Sequence, residues 1–518
     1  MTLLDVVIFL PLVAFLILMA MPKESPEGIR RFSLISSIVV FIVSLGLIGP
    51  YWFNTPGKYV FENNQPWIET PSIRYHVAID GISLWLVILS TLLTPLCVLV
   101  SWRYIEKHVK QFYAFLLLLE FGLVGVFCAL DLFLFFVFWE VSLVPMYFLI
   151  GVWGHDRRIY SAVKFFLYTM AGSALMLVAI IYLYNASGTF DYPKILAGLQ
   201  SGSIAVTSQE QLLLFLAFFI AFAIKVPLFP LHTWLPDAHV EAPTAGSVML
   251  ASVMLKMGTF GLLRYCVPMF PNAARNCSGW ISTLAIIGII YGALVAIVQP
   301  NMKKLVAYSS VSHLGFVVLG IFTFTQQGFD GAVYQMLNHG VSTGALFILV
   351  GFLYERRHSL EIASYGGVAT PAPKLSTVFM ITMLASIGLP MLNNFVGEFL
   401  VLQGVALVNM RMTAFAAIGV ILSACYMLWL YQRVFFGKAT EDLTHHMPDL
   451  NLREYAIIVP LIALMVWMGT FSQSFIPAIS ASNTVLLGPV DARRDLHVRI
   501  APPVQPVAAR IEETPDAR

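Results

Sequence analysis

Ionisable side chains lie inside apolar segments that otherwise carry no charge. Three are lysines and three are glutamates: Lys164, Lys225, Lys256, Glu120, Glu140 and Glu398. A charge at the centre of a bilayer costs about 2.5 to 3.5 kcal/mol, so such a side chain normally faces a partner or water and marks an ion path. Lys164 lies next to a polar loop, so its long side chain could equally well extend its ammonium group to the membrane interface and have no part in an ion path. Four of these residues lie far from polar loops or beside a helix break, and for them an ion path is favoured over a structural ion pair. They are Glu140, Lys225, Lys256 and Glu398.

Two histidines lie in the middle of successive predicted helices. His313 occurs in SSVSHLGFVV and His339 in YQMLNHGVSTGALF, both among small and hydroxyl-bearing residues that could admit water. Imidazole exchanges protons near neutral pH, so either ring could pass a proton along. For each histidine taken alone, the alternative is a buried structural residue whose hydrogen bonds are satisfied within the protein. Their position between the lysine-bearing helices and Glu398 favours a proton relay.

The sequence has few features that could hold a metal or a redox cofactor. His232, Asp237 and His239 fall together in HTWLPDAH, but this stretch follows two prolines at a predicted helix end and makes a poor metal triad. The five cysteines are scattered, without a CxxC pair or a Cys/His cluster. No glycine-rich nucleotide loop follows a strand pattern. We therefore expect neither a cofactor nor a metal in this chain.

Prolines interrupt two apolar runs close to the charges. Pro227 and Pro230 follow Lys225 in FAIKVPLFPLHTWLPDAH, and SIGLPMLNNFVGEF breaks at Pro390, two turns before Glu398. A proline removes a backbone donor and crowds the preceding turn, so each helix must kink or unwind. Such backbone is tolerated at membrane depth only where it is buried in protein or lines a wet cavity, which is where a lysine can exchange protons.

The composition indicates a polytopic membrane protein. Of the 518 residues 58% are hydrophobic and 11% are charged, and a net charge of +2 gives no reason to expect nucleic acid as a partner. The first apolar run has no basic segment before it and no cleavage site after it, so we interpret it as a retained helix. We predict an all-α fold of about fourteen transmembrane helices. They span residues 2–21, 31–53, 80–102, 112–129, 132–152, 159–184, 210–234, 243–267, 278–298, 301–325, 329–354, 373–405, 411–436 and 455–480.

The proline-broken runs are the seventh and twelfth predicted helices. An offset of five means that they cross the membrane in opposite directions, which predicts two inverted five-helix repeats, each with one discontinuous helix. The predicted domains are the first three helices (1–111), the first repeat of helices 4 to 8 (112–267), the second repeat of helices 9 to 13 (268–436), helix 14 (437–485) and a polar tail (486–518).

Lysine and arginine counts predict the orientation. Loops after odd-numbered helices contain sixteen of these residues and loops after even-numbered helices six. Because basic loops stay on the cytoplasmic side, we expect the odd loops in the cytoplasm and both termini on the periplasmic side of a bacterial inner membrane. The tail has five arginines mixed with five acids and is a poor guide to orientation.

Four stretches of the sequence contain long and specific motifs. They are ALDLFLFFVFWEVSLVPMYFLIGVWG (129–154), YSAVKFFLYTMAGSALML (160–177), FAIKVPLFPLHTWLPDAHVEAPTAGSVMLASVMLKMGTFGLLR (222–264) and GLPMLNNFVGEFL (388–400). These stretches resemble the antiporter-like subunits of respiratory complex I, NADH:quinone oxidoreductase. Subunits of Mrp-type cation/proton antiporters and of membrane-bound hydrogenases belong to the same superfamily. Glu398 favours a branch of the complex I subunits distinct from the sister chains L and N, because those chains and the Mrp homologues usually have lysine there. The absence of a long lateral helix and the stretch DGISLWLVILSTLLTPL (80–96) favour the same branch of the family.

The resemblance implies a proton path across the middle of the membrane. Its residues would be Glu140 paired with Lys225, then Lys256 as the central relay, His313 and His339, and finally Glu398. It also implies a proton-translocating subunit of the membrane arm, without a redox centre of its own. NADH, FMN, iron-sulfur clusters and quinone would be bound by other subunits, and the neighbours would be chains L and N and membrane lipids.

Glu140 and Lys225 could form an electrostatic switch. At a separation of about 7 Å and an effective dielectric of about 20, Coulomb's law gives roughly 2.4 kcal/mol in favour of the charged lysine. When Glu140 moves away or is neutralised, burial favours the neutral lysine and its proton can move towards Lys256. Redox energy released elsewhere in the complex would then perturb such pairs one after another.

Two other classes of function stay open from the sequence. A subunit of an Mrp-type antiporter or of a membrane-bound hydrogenase would share much of the relay, and sodium-dependent proton exchange would reveal the antiporter. In a passive membrane scaffold, neutralising the buried charges would alter assembly only.

Overall fold

The computed structural model describes residues 1–49, 57–438 and 447–491, with the backbone alone for 489–491. Most of the predicted polar tail, from residue 492 onward, lies outside the described residues. Within them the chain is a bundle of long helices with a two-stranded antiparallel hairpin at one end. We call that end of the bundle the hairpin side.

The elements are numbered in chain order. They are α1 (Leu3–Ala20), α2 (Pro26–Leu45), β1 (Val60–Ile68), β2 (Ile73–Ile79), α3 (Ser83–Tyr104), α4 (Val109–Cys128), α5 (Leu132–Trp153), α6 (Arg158–Ser187), α7 (Tyr192–Ser201), α8 (Ser208–Lys225), α9 (Trp234–Glu241), α10 (Thr244–Met269), α11 (Pro271–Ile297), α12 (Met302–Ile321), α13 (Gln326–Arg357), α14 (Pro373–Ile387), α15 (Asn393–Ala406), α16 (Met410–Phe435), α17 (Leu452–Thr470) and α18 (Ile476–Asp491).

Among the described residues thirteen helices are long and apolar enough to cross a membrane. Thirteen of the fourteen predicted runs have a counterpart among them. The twelfth run is instead divided into α14 and α15, which have only 15 and 14 residues and are each too short to cross alone. The short helices α7 and α9 were not predicted as separate elements. In the place of the single last helix predicted over 455–480, the chain forms α17 and then α18.

The helices that carry the candidate residues begin at side-chain caps. The carboxylate of Asp131 accepts from the N–H groups of the first turn of α5, and Asn301 and Thr325 do the same for α12 and α13. Each cap satisfies a backbone donor that the helix itself leaves free. Helices α10 and α13 form the centre of the bundle, because their apolar windows are completely buried inside the protein.

The hairpin β1–β2 is an exception to the predicted all-α fold. The two strands pair antiparallel, and Val77 of β2 also forms a bridge with Ala129. The carboxylate of Asp5 accepts hydrogen bonds from Asn63 and Tyr75, which fixes the hairpin to the start of α1. Apolar runs of membrane-spanning length do not reveal such an element, since its strands have nine and seven residues.

His76 joins the hairpin to the segment before α7. Its Nε2 lies 2.9 Å from Glu62 Oε1 and its Nδ1 lies 3.2 Å from Asp191 Oδ2. Burial by itself lowers the pKa of His76, but the carboxylates of Asp191 and Glu62 outweigh burial and raise the pKa above its ordinary value. Burial by itself raises the pKa of Asp191, but the contact with His76 outweighs burial and lowers the pKa below its ordinary value.

We expect these contacts of His76 to make thermal stability depend on pH above neutrality. A histidine with a raised pKa stabilises the fold fully below its unfolded pKa of about 6.5, and this contribution is lost as pH rises through the folded-state pKa. Asp191, whose pKa is lowered, keeps its contribution throughout this range and loses it only as acid protonates it. The unfolding temperature of the protein in detergent should therefore fall as the pH rises from about 6.5 through the raised folded-state pKa of His76, and fall less in His76→Asn.

His108→Asn is the matched control for this measurement. His108 is exposed and lies outside the hairpin, so its replacement should leave the pH dependence of the unfolding temperature unchanged. The explanation is wrong if His76→Asn and the unchanged protein lose stability with pH at the same rate.

Candidate functional site

Lys256 lies at the centre of the bundle and is completely buried. Its Nζ donates to the carbonyl of Ala251 at 2.6 Å and lies 2.7 Å from Nδ1 of His339. Ala251 belongs to a π-helical turn, Leu250–Met254, immediately before Lys256. Single π-helical turns occur often at functional sites, where they displace the register of the following side chains.

His339, His313 and Glu398 continue from Lys256 towards α15. The two imidazole rings have centroids 5.9 Å apart, and His313 Nδ1 lies 2.8 Å from Glu398 Oε1. Gln335 Nε2 donates to the same carboxylate oxygen at 3.1 Å. The structure thus brings four of the predicted site residues into one row, in which His339 and not His313 is next to Lys256.

The contacts restrict where the protons of this row can sit. An ammonium group can only donate, so when Lys256 is charged Nδ1 of His339 must accept and the proton of the neutral ring is on Nε2. That Nε2 has no hydrogen-bond partner in the described part of the chain. On His313, Nδ1–H can donate to Glu398, which leaves Nε2 to accept from the hydroxyl of Tyr426 at 3.4 Å.

Lys225 occupies the last position of α8 and is also completely buried. Its Nζ lies 5.3 Å from the ring of Trp139 and 5.4 Å from the ring of Phe165, as in cation–π contacts. Glu140, next to Trp139 on α5, acts on Lys225 electrostatically. Among the described residues, however, the two form no direct ion pair, and Nζ of Lys225 has no hydrogen-bond partner.

The chain leaves the helical conformation directly after Lys225. Trp234 Nε1 donates to the carbonyl of Ile224 at 2.9 Å and so closes the proline-containing segment back onto α8. Helix α10 reaches the same place because Gly258 has no side chain: a Cβ there would lie 2.8 Å from the carbonyl oxygen of Phe222. This close approach joins the helix of Lys225 to the helix of Lys256.

A second interruption lies before Glu398. Helix α14 ends at Ile387, and Gly388 follows with φ +85°, a conformation that favours glycine. Helix α15 begins at Asn393, whose Nδ2 donates to the carbonyl of Asn338 on α13 at 3.0 Å. Glu398 lies in the second turn of α15 and is 3% exposed.

The structure places other predicted residues away from this row. Lys164 pairs with Asp237 at 2.7 Å, near the surface. The ring of His232 stacks on Phe229 and that of His239 on Phe347, so the three residues of HTWLPDAH face different neighbours. In the described ranges no three His, Cys, Asp or Glu side chains come together as metal ligands.

The lysine and arginine counts used for the orientation include Lys303 and Arg264 among the loop residues, and this was wrong, because both are buried in helices. Lys303 lies in α12, where its Nζ donates to the carbonyl of Ala242 at 2.7 Å. Arg264 lies in α10 and pairs with Asp80 at 2.5 Å. Lys303 is followed by Lys304, and the sequence has no signal that only one of the two faces inward; Arg264 could have been found, because the apolar run continues beyond it to Phe270.

Comparison with known proteins shows which membrane subunits this chain is similar to. Residues 129–424 match the family model described as NADH:quinone oxidoreductase/Mrp antiporter, TM. NADH-quinone oxidoreductase subunit M of Rhodobacter capsulatus is 46% identical over 90% of this chain and 93% of its own length. NADH-ubiquinone oxidoreductase chain 4 of Marchantia polymorpha is 41% identical over 93% of this chain and 97% of its own length.

Solved structures show the same fold. A chain of respiratory complex I from Thermus thermophilus with bound NADH superposes with a TM-score of 0.85 at 30% identity, covering 94% of this chain and 99% of that chain. A chain of the archaeal membrane-bound sulfane sulfur reductase has a TM-score of 0.83 over 94% of this chain and 98% of its own length, at 20% identity. At that identity the second likeness shows the fold alone.

Proposed function

This chain belongs to the NADH:quinone oxidoreductase/Mrp antiporter family of membrane subunits, and we propose that it moves protons through the buried row from Lys256 to Glu398. As a family member with relatives named subunit M and chain 4, it is a proton-translocating subunit of the membrane arm of NADH:quinone oxidoreductase. The observation that carries the relay is the direct contact of Lys256 with His339, whose ring lies next to that of His313.

The first step of the relay is a change in the field of Glu140 on Lys225. Two aromatic rings flank Lys225, and its ammonium group has no hydrogen-bonding partner among the described residues, so its charge depends on Glu140 more than on any contact of its own. When Glu140 is neutral, a buried unpaired ammonium is costly and releases its proton towards α10. Lys256 accepts it, because its position on α10 is joined to the end of α8 at Gly258.

The later steps follow from the hydrogen-bonding roles of the two histidines. Lys256 donates to Nδ1 of His339, and the proton on Nε2 of that ring leaves towards His313. His313 then donates through Nδ1 to Glu398. In this scheme Glu398 is the terminal acceptor, and NADH, FMN, iron-sulfur clusters and quinone are bound by other subunits of the complex.

We further propose that the interrupted segments are two discontinuous helices of an inverted repeat. Helices α8 and α9 would form the broken helix of the first repeat (112–267), and α14 and α15 that of the second (268–436). The support is that each interruption lies directly beside one ionisable residue, Lys225 or Glu398. Freed backbone groups at membrane depth are typical of sites through which ions pass.

The chain is a multi-pass membrane protein whose partners are other subunits of the complex. We propose that its immediate neighbours are chains L and N, that membrane lipids cover the remaining exposed apolar helix faces, and that the membrane is a bacterial inner membrane with both termini on the periplasmic side. The basic loops after odd-numbered predicted helices support this orientation, in which the hairpin side is periplasmic.

His339→Phe tests the relay at the contact that carries it. Phenylalanine keeps a planar ring of similar size but has no nitrogen that could accept from Lys256. We expect NADH-driven proton pumping in membrane vesicles to fall by about fivefold, since ordered water can replace part of the lost connection. Assembly of the complex should be unchanged.

His155→Phe is the matched control. His155 lies between α5 and α6, where its ring packs against Tyr354, and it is not part of the row. Pumping in this variant should equal that of the unchanged chain. Unchanged pumping in His339→Phe, in an assembled complex, would show that the proton does not pass through this imidazole.

A further inference from the structure

A second series of buried polar side chains lies on α3, away from the row described above. Its members are at most 2% exposed: Ser83, Ser90, Thr94, Cys97 and Ser101. Because one residue turns an α-helix by about 100°, their spacing places them within about 60° of arc on one face. The series therefore forms a polar stripe, which we call the α3 stripe, along almost the whole length of a membrane-spanning helix.

Glu120 of α4 faces the middle of the α3 stripe. Its carboxyl is directed towards Thr94 and Cys97 and is completely buried. Neither carboxylate oxygen has a hydrogen-bond partner in the described part of the chain, and no ion pair compensates for it there. An ionised carboxylate in such a place costs several kcal/mol, so structural stability does not explain this residue.

Both ends of the α3 stripe reach charged groups, a buried ion pair at one end and an open cavity at the other. On the hairpin side, Ser83 Oγ donates to Asp80 Oδ1 at 3.0 Å, and Asp80 pairs with Arg264. At the opposite end, one turn beyond Ser101, an open cavity of about 620 Å³ is lined by residues that include Arg103 and Arg453. The stripe thus extends from an open cavity on one side of the bundle to a buried ion pair on the other.

We propose that Glu120 is a further proton-binding residue, at the midpoint of a polar path that the α3 stripe forms between the cavity at Arg103 and the Asp80–Arg264 pair. Serine and threonine hydroxyls donate and accept at once, so they can pass a proton by rotation, with water between successive turns. A carboxyl at the midpoint gives the proton a place to rest inside the membrane. The inference rests on the proposed function, which supplies the driving force.

The test is NADH-driven proton pumping in membrane vesicles that carry Glu120→Gln in the assembled complex. Glutamine keeps the shape of the side chain but cannot exchange a proton. We expect the pumping rate at a matched rate of NADH oxidation to fall by at least about twofold, and Glu120→Asp to restore part of it. Pumping equal to that of the unchanged complex would overturn the proposal, since a purely structural carboxyl would leave this ratio unaffected.

Variants on α3 separate the path from packing. Thr94→Val removes the hydroxyl that faces Glu120 at nearly constant volume and is expected to slow pumping in the same way. Thr91→Val is the matched control, because Thr91 is turned away from the stripe and bonds Ser44 of α2 at 2.8 Å; it should pump normally. If Glu120→Gln does not assemble, Thr94→Val decides: unchanged pumping there rejects the path.

A parallel measurement on His339→Phe keeps the two proposals distinct. If His339→Phe slows pumping and Glu120→Gln does not, the α3 path is wrong and the central relay stands. If both variants assemble and pump normally, the proposed relay fails as well.

Discussion

Membranes that carry Glu140→Gln are expected to lose NADH-driven proton pumping by about 100-fold, although the complex assembles. In the ranges that the structure describes, the ammonium group of Lys225 has two aromatic rings near it and no hydrogen-bonding partner, so the carboxylate of Glu140 is the charge that favours its protonated form. A neutral amide at position 140 removes that field permanently. Lys225 then stays neutral, and the first transfer of the relay cannot be gated.

Quinone reduction should fall together with pumping if the switch is coupled to turnover, and both rates are measured in the same vesicles. Glu24→Gln is the matched control, because Glu24 is exposed in the loop between α1 and α2 and its charge reaches no buried lysine. Assembly is checked on native gels. Normal pumping and quinone reduction in Glu140→Gln would make Glu140 a structural polar residue and remove the first step of the mechanism.

Buried charge is rare in apolar segments, so the sequence singles out Lys256 and Glu398, which the structure places at the two ends of one row. Each ionisable group is conspicuous there, and the prolines after Lys225 and before Glu398 mark the interrupted backbone beside it. What the sequence lacks is the order of contacts. His313 precedes His339 in the chain, but the packing of α10 against α13 puts His339 next to Lys256.

Other features depend on tertiary packing that no periodicity reveals. The π-helical turn before Lys256 follows from a local change of hydrogen-bond register within an uninterrupted apolar run. Lys303 is buried, although it directly precedes a second lysine near a helix start, where a solvated position is the usual expectation. The hairpin was missed because its strands, of nine and seven residues, are far shorter than the apolar runs that mark membrane-spanning helices.

The electrostatic role of Glu140 and Lys225 stays a prediction, and the geometry of the two residues differs from a direct pair. The sequence treats Glu140 and Lys225 as a pair, yet among the described residues no direct ion pair joins them, and aromatic rings surround the lysine instead. This arrangement suits a switch better than a tight ion pair would. A directly bonded buried pair is costly to break, whereas a field acting across a short gap changes with small movements.

Lys256→Arg and Lys256→Met are both expected to reduce pumping by about 100-fold, and their comparison separates charge from proton release. Methionine removes the charge, and without a charge to compensate the buried site should still fold. Arginine keeps the charge, but it does not release its proton in proteins. If Lys256 must pass a proton to Nδ1 of His339, across their contact of 2.7 Å, neither variant can do so.

Lys110→Arg is the matched control for this pair, because Lys110 hydrogen-bonds two carbonyls at the end of α1, far from the row. Pumping in that variant should be normal. The decisive outcome is Lys256→Arg: an assembled complex that pumps at the normal rate would mean that only a fixed positive charge is needed at this position. In that case the proton must bypass Lys256, and the continuous contact with His339 would serve to orient the imidazole instead of feeding it.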